Sequence, residues 1–340
     1  MVRRDRFRHA VAFVGPPVAS AVLLQLAFHP LQVFLLAFVA LAPWIAQLRA
    51  VDPRCALKSG YLFGLVFMIG QMHWLQVLTS RWIGDTALAA LPWLLASAAA
   101  ALYFAYAGWA IAVCFRRGWV WLIPIVWAGV EVFRSYVFGL AFPWGLLAMP
   151  LYVTPQIIQG AAFGTIYFVS AWVVLANLIG ALALSGDSYR KLRAPALVFL
   201  ALGLLSAIRF SSAPGGAREM AMSFGQPGVD LAFGNPATRA YDMDRAVEEL
   251  IAEARAQGAK VLLLPEGIAD APDGEHARPG FSLPSDMAVV FGAKRGRHPE
   301  YQSVFGWDGS WKHADKTRLV IFGEYVPGRH LIPFLDKFNL

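Results

Sequence analysis

Seven stretches of this chain are apolar for about 20 residues each, and that recurring length limits the possible folds more than any other feature. A helix needs roughly 20 mostly apolar residues to cross the hydrocarbon core of a bilayer. The stretches cover about 11–28, 31–48, 58–78, 86–115, 119–138, 156–184 and 193–210. The first two are joined by His29-Pro30 alone, which predicts a tight hairpin, and 86–115 is long enough to tilt or to project beyond the bilayer. Composition agrees: only 15% of residues are charged, where a soluble domain usually has about a quarter. No clear small-residue cleavage site follows the first stretch, so it reads as an anchor rather than a removable signal.

The sequence predicts an orientation from its charges. Arg3, Arg4, Arg6 and Arg8 precede the first stretch, and Arg49, Arg54 and Lys58 lie between the second and third. Arg116 and Arg117 separate the fourth from the fifth, and Arg190, Lys191 and Arg193 separate the sixth from the seventh. The alternate connections are poor in Lys and Arg. Every basic connection therefore falls on one side, which the positive-inside rule assigns to the cytoplasm. An odd number of crossings puts everything after residue 210 on the other side. This placement accounts for the net charge of +7 without invoking nucleic acid.

The sequence offers little to a metal or cofactor. Its seven histidines have no ligand spacing, and Cys55 and Cys114 are too few for a disulfide framework or a cysteine-based zinc site. No metal and no organic cofactor is expected.

Residues 211–217 are rich in Ser, Pro and Gly and read as a linker, which divides the chain into a membrane domain, 1–210, and a second domain, 218–340. In the second domain, 220–224 is a strand candidate. An amphipathic helix over 239–257 follows, with Thr238 as N-cap, Val247, Leu250, Ile251 and Ala254 as its apolar stripe and Gly258 as its stop. Lys260–Leu264 reads as a buried strand ending at Pro265-Glu266-Gly267. Further strands are expected at 287–293, 301–307 and 317–322, with a turn at Asp308-Gly309. The strand–helix–strand order implies an α/β domain with a mixed sheet.

Two places carry candidate chemistry. Glu266 falls just beyond a central strand, where sites of open α/β sheets lie. A carboxylate held there, partly screened from water, is suited to general-base work, although an acid after a strand is more often a loop solvator or a cap. In the membrane half, Glu131 and Arg134 are three residues apart and share a helix face. They read either as a structural ion pair or as part of a lipid-facing substrate mouth. Phe142-Pro143-Trp144-Gly145 reads as an outer interfacial turn with Trp144 at the water boundary.

Leu264-Pro265-Glu266, followed by the run from Lys316-Thr317-Arg318 to Phe322-Gly323-Glu324-Tyr325-Val326-Pro327, resembles the apolipoprotein N-acyltransferases. These are bacterial membrane enzymes with an extracytoplasmic domain of the nitrilase, or carbon–nitrogen hydrolase, superfamily. Trp127, Glu131, Arg134, Phe142-Pro143-Trp144, Gln159, Gly164 and Asn177 fall as in that family, so the resemblance covers nearly the whole chain. It implies a multi-span helical membrane domain followed by a nitrilase-like αββα sandwich. The implied location is the bacterial inner membrane, with a cytoplasmic N-terminus and a periplasmic second domain. It also implies a phospholipid acyl donor, a diacylglyceryl apolipoprotein acceptor and a thioester intermediate. Glu266 matches the family's general base, Lys316 the oxyanion-stabilising lysine and Glu324 a supporting glutamate. Read without the resemblance, Lys316 and Arg318 are ordinary strand-edge charges and Glu324 is a turn cap.

The chain departs from the family pattern in places. Leu264 stands where Trp is frequent, Gln302 where Asn-Ser is common, and Ile321 where Pro is usual. The family's nucleophilic cysteine lies well beyond the lysine motif, whereas Cys55 and Cys114 both precede residue 210. The expectation is therefore an acyltransferase relative truncated at its C-terminus. The alternative is an inactive relative that binds lipid or lipoprotein. A transporter fits less well, because no repeat of the helices is visible.

Overall fold

The computed structural model describes residues 2–137, 141–212, 219–230, 234–296 and 301–319, with side chains from residue 12 onward. It divides into two compact units, Met1–Ala213 and Pro214–Leu340.

The first unit is helical. Its α-helices are α1 (Val2–Ala27), α2 (Ala42–Ala50), α3 (Pro53–Gln71), α4 (His73–Ile83), α5 (Thr86–Arg117), α6 (Ile123–Tyr136), α7 (Ala161–Leu184) and α8 (Tyr189–Ser211). Short 3-10 turns occur at Phe34–Phe38, Val120–Leu122 and Met149–Val153. Among the described residues three helices, α5, α7 and α8, are long and apolar enough to cross a membrane, and α3 with α4 makes a fourth if that pair, bent by 55°, is one span. At 32 residues, α5 is about 48 Å long, well beyond a hydrocarbon core of about 30 Å. Much of α8 faces outward, with Leu197, Val198, Leu200, Leu204 and Ile208 more than half exposed. A contiguous apolar face of this kind suits lipid.

Four expected spans are not single unbroken helices. The stretch 119–138 is a 3-10 turn followed by the 14-residue α6, and 156–184 kinks where Gly164 and Thr165 leave helical φ/ψ. The other two, 31–48 and 58–78, are broken as follows. The stretch 31–48 is a 3-10 turn followed by the nine-residue α2. Pro43 lies in the first turn of α2, where the missing N–H costs nothing. The break is filled by Asn177 of α7: its Oδ1 accepts from the Leu41 amide at 2.7 Å, and its Nδ2 donates to the Ala37 carbonyl at 2.8 Å. Buried backbone groups freed by a broken helix need such partners. The stretch 58–78 is likewise broken, at Met72 between α3 and α4. Cys55, expected in a connection, lies in the first turn of α3, which Asp52 caps by accepting from the Arg54 and Cys55 amides.

Close packing of α3 on α5 depends on small residues. A Cβ on Gly60 would stand 2.3 Å from the Phe104 carbonyl oxygen, and one on Gly108 would stand 2.7 Å from that of Ala56. Association of apolar helices relies on such backbone approach. The core beside this contact is aromatic: Trp44 stacks on Phe63 at 4.3 Å, with Phe67, Phe104 and Trp127 around them. The indole N–H of Trp44 donates to Ser59 Oγ at 3.1 Å, so this buried polar group is satisfied.

Among the described residues the second unit contains a sheet and one helix, α9 (Arg239–Ala256). The strands are β1 (Met222–Phe224), β2 (Val261–Leu263), β3 (Ala269–Ala271), β4 (Ala288–Arg295), β5 (Tyr301–Trp307) and β6 (Trp311–Asp315). Their order is β1-β2-β4-β5-β6, with β3 also on β4. The β1–β2, β2–β4 and β3–β4 pairs are parallel, and β4–β5 and β5–β6 are antiparallel, so the sheet is mixed as expected. Val247, Ile251 and Ala254 of α9 join Leu262, Val289, Phe291 and Phe305 in one core. Met243 is buried with them, whereas Leu250 is only partly covered.

The third strand of the antiparallel part differs from expectation. It runs over Trp311–Asp315, not 317–322, because the turn at 308–310 returns at once and pairs Trp307 with Trp311. Residues 317–319 lie beyond the strand, and 320–322 lie outside the described residues. The short β3 had no sequence signal of its own.

Candidate active site

β4 organises the candidate site of the second unit. β2 pairs with its first part, Ala288–Val290, and β3 with its last, Ala293–Arg295. Between them the chain leaves the regular ladder yet stays tied to β4. The Leu264 amide donates to the Val290 carbonyl at 2.8 Å, the Gly292 amide to Pro265 at 3.0 Å, and the Ile268 amide to Gly292 at 3.0 Å. Glu266 sits in this gap, over Gly292. A Cβ on Gly292 would lie 2.6 Å from the Glu266 Cα, so the approach requires glycine.

Lys316 reaches the same place from the other side of the sheet order. Its amide donates to the Gln302 carbonyl at 2.7 Å, directly after β6. The preceding residue, Asp315, is clamped by Arg295 of β4 through Nε at 2.7 Å and Nη2 at 2.6 Å, and by Ser303 Oγ at 2.6 Å. Bidentate guanidinium–carboxylate pairs fix geometry as well as charge. The Arg295 hydrogen bonds, followed by that of Ser303, hold the Asp315 carboxyl at about 2.

These two supports bring Lys316 Nζ to 3.1 Å from Glu266 Oε1. The two side chains are 30% and 70% exposed. The carboxylate is thus more open to water than a screened strand-end acid. A carboxylate beside a fixed ammonium can exchange a proton with a substrate group while the cation faces any negative charge that develops. Glu324 lies outside the described residues. Sequence reasoning did not single out Gly292, Arg295, Ser303 or Asp315. A glycine inside an apolar strand and an aspartate just before Lys316 were the signals available.

The other candidates lie in the first unit. Glu131 and Arg134 on α6 are each 2% exposed and 4.0 Å apart. Glu131 Oε1 accepts from the Trp127 indole at 3.0 Å and from the Leu147 amide at 2.8 Å. Arg134 donates to the Trp144 carbonyl and, at 3.0 Å, to that of Gly145. Its guanidinium lies 5.6 Å from the Phe104 ring centre. Together they bind the 144–147 turn to α6. Trp144 itself projects from that turn, 48% exposed, with its ring 5.2 Å from Trp74. Glu131 Oε2 and Arg134 Nε are buried without a hydrogen-bond partner among the described residues. Cys55 and Cys114 also belong to this unit, on α3 and α5. Among the described residues no group of three or more His, Cys, Asp or Glu could hold a metal ion.

The model of the apolipoprotein N-acyltransferase N-terminal domain matches residues 20–179. The apolipoprotein N-acyltransferase of Geobacter metallireducens is 28% identical over 351 residues, which cover 94% of this chain and 66% of its own. Those of Pseudomonas syringae pv. tomato and Azotobacter vinelandii are each 27% identical, over 94% of this chain and 67% and 66% of their own. The chain thus spans about two thirds of the length of these curated relatives.

Proposed function

Because the chain belongs to the apolipoprotein N-acyltransferase family, we propose that it takes part in moving an acyl chain from a phospholipid to the N-terminal amine of a diacylglyceryl-cysteine on an apolipoprotein. The single observation that carries this reading is the 3.1 Å contact between Lys316 Nζ and Glu266 Oε1. It joins the two residues to which the family resemblance gives the base and oxyanion roles.

In the proposed chemistry the thiol that the family resemblance places beyond the lysine motif loses its proton to Glu266, and the thiolate attacks the ester carbonyl of the phospholipid. Lys316 stabilises the oxyanion of the tetrahedral intermediate. Its collapse breaks the ester C–O bond, leaves a thioester, and returns the proton to the departing lysophospholipid alkoxide. The acceptor amine then attacks the thioester, gives up a proton through Glu266, and the thiol is regenerated as the amide forms. Glu324 is assigned a supporting role. The second unit is assigned a nitrilase-like fold and a periplasmic position. The first unit is assigned about seven crossings of the inner membrane with its N-terminus in the cytoplasm, a reading supported by the one-sided basic connections. Glu131, Arg134 and Trp144 are assigned to the substrate mouth, with the buried pair holding the turn that projects the indole.

A second reading is favoured by the placement of Cys55 and Cys114, both in the first unit. In it the chain binds lipid or lipoprotein without transferring an acyl group.

One experiment separates the two. Membranes containing the chain receive a phospholipid labelled in its acyl group and a diacylglyceryl-cysteinyl peptide. The assay is run with the chain alone and with the product of any reading frame that continues past the Leu340 codon. Amide-linked label that is lost in Glu266→Gln supports acyl transfer. Peptide retention with no label transferred under either condition supports the binding protein.

A further inference from the structure

A cavity of about 530 Å³ opens in the first unit where the ends of α2 and α5 meet the connection between α7 and α8. Its polar lining is Arg49, Arg116, Lys191 and Asp187, and its apolar walls include Phe115 and Trp121. We propose that this cavity is a binding site for the headgroup of an anionic phospholipid. The inference rests on the membrane character of the chain and not on acyl transfer.

Charge is the first argument. Three cations face one carboxylate. Asp187 pairs with Arg49, and its Oδ1 accepts from Lys191 Nζ at 3.3 Å. The Arg49 hydrogen bond holds the Asp187 carboxyl below its usual range. Within the lining one carboxylate faces three cations; Asp52, outside it, offsets part of the Arg116 charge, and the Lys191 side chain is still 72% exposed. A phosphodiester brings one negative charge and several acceptor oxygens, which suits such a set.

Backbone and apolar groups extend the match. α8 begins at this cavity, and Ser188, its N-cap, makes no side-chain cap hydrogen bond. The positive end of the helix is therefore not closed by its own cap residue. Trp121 is 54% exposed and Trp119 50%, as expected for indoles at the bilayer–water boundary. Phe115 and Trp121 give the glycerol and upper acyl carbons an apolar wall that a free phosphate would not need. Basic pockets between membrane helices commonly take lipid headgroups. Arg49, Arg116 and Lys191 come from three of the basic connections, which the charge rule assigns to the cytoplasm.

The test is thermal unfolding of the full chain in a neutral detergent, with phosphatidylglycerol, phosphatidylcholine or inorganic phosphate added. Phosphatidylglycerol is expected to raise the Tm by about 3 °C, and the other two additions to leave it unchanged. The double variant R116Q/K191Q should lose at least half of that rise. R193Q removes an exposed basic residue outside the cavity lining and should keep the whole rise. Native mass spectrometry of the same samples counts retained phosphatidylglycerol, which covers the case of a variant with an altered melting transition. An equal rise with phosphatidylcholine, or an undiminished rise and lipid count in R116Q/K191Q, would overturn the proposal. A rise with inorganic phosphate equal to that with phosphatidylglycerol would make the ligand a free anion and would also overturn it.

Discussion

Lys316 and Glu266, 50 residues apart in the chain, meet at 3.1 Å across the mixed sheet. An exposed pair of this kind is worth only about 0.2–1 kcal/mol, so stability does not explain the effort spent in holding it. Both partners are held by β4. Gly292 lets the Glu266 backbone lie against the strand, and Arg295 clamps Asp315 one residue before Lys316.

If the pair performs the assigned chemistry, Glu266→Gln removes the base and should slow acyl transfer by about 10² to 10⁴-fold. Lys316→Ala removes the oxyanion partner and should cost about 10² to 10³-fold. Glu266→Gln should lower the Tm by no more than the small worth of an exposed pair. The labelled-acyl assay and a melting curve on the same preparation check both halves of this expectation.

Gly292→Ala places a methyl 2.6 Å from the Glu266 Cα. Relief requires movement of the backbone that carries the carboxylate, at a cost of about 1–3 kcal/mol. A displacement near 1 Å should reduce transfer by about 10²-fold. Gly306→Ala on β5 is the control, because its nearest heavy atom, Val290 Cγ2, is 4.0 Å away. Equal behaviour of the two variants would remove Gly292 from the positioning role.

The Asp315 carboxyl is held at about 2, first by Arg295 and then by Ser303. An acid with a depressed folded pKa contributes stability that is fully present above its unfolded pKa, about 3.9, and lost as pH falls through its folded value. Melting curves of the full chain should therefore show the Asp315→Asn variant less stable than wild type at pH 5. The difference should shrink as the pH is lowered from about 4 toward 2. A difference that stays constant over that window would show that the charge of Asp315 is not what the clamp uses.

Glu131→Ala strands the buried Arg134 guanidinium, the Leu147 amide and the Trp127 indole together. Breaking one partner of a buried pair costs about 3–5 kcal/mol. Glu131→Gln keeps an acceptor for Leu147 and Trp127 and should lose less. Tm values in detergent rank the two, and protease cleavage near Trp144 reports whether the 144–147 turn has come loose.

Much of the architecture was readable from local signals. Apolar length marked the helical unit, and the stripe Val247, Ile251 and Ala254 marked α9. Glu266 was noticed because an acid follows an apolar run, and Lys316 through the family motif around it. What was not readable had non-local causes. The break in 31–48 depends on Asn177, which supplies the missing hydrogen bonds from more than 130 residues away. β6 was misplaced because the turn at 308–310 returns immediately, a matter of pairing register and not of composition.

The sequence by itself determined where the chain is apolar enough for membrane, where it carries positive charge, and where α9 and most of the strands lie. Those properties follow from residue types and spacings within a few turns of chain. Only the tertiary structure decided that Glu266 and Lys316 share a site and that Arg49, Arg116 and Lys191 share a cavity. Side chains far apart in sequence meet through strand register, glycine-permitted approach and helix packing, and no short window of residues encodes those.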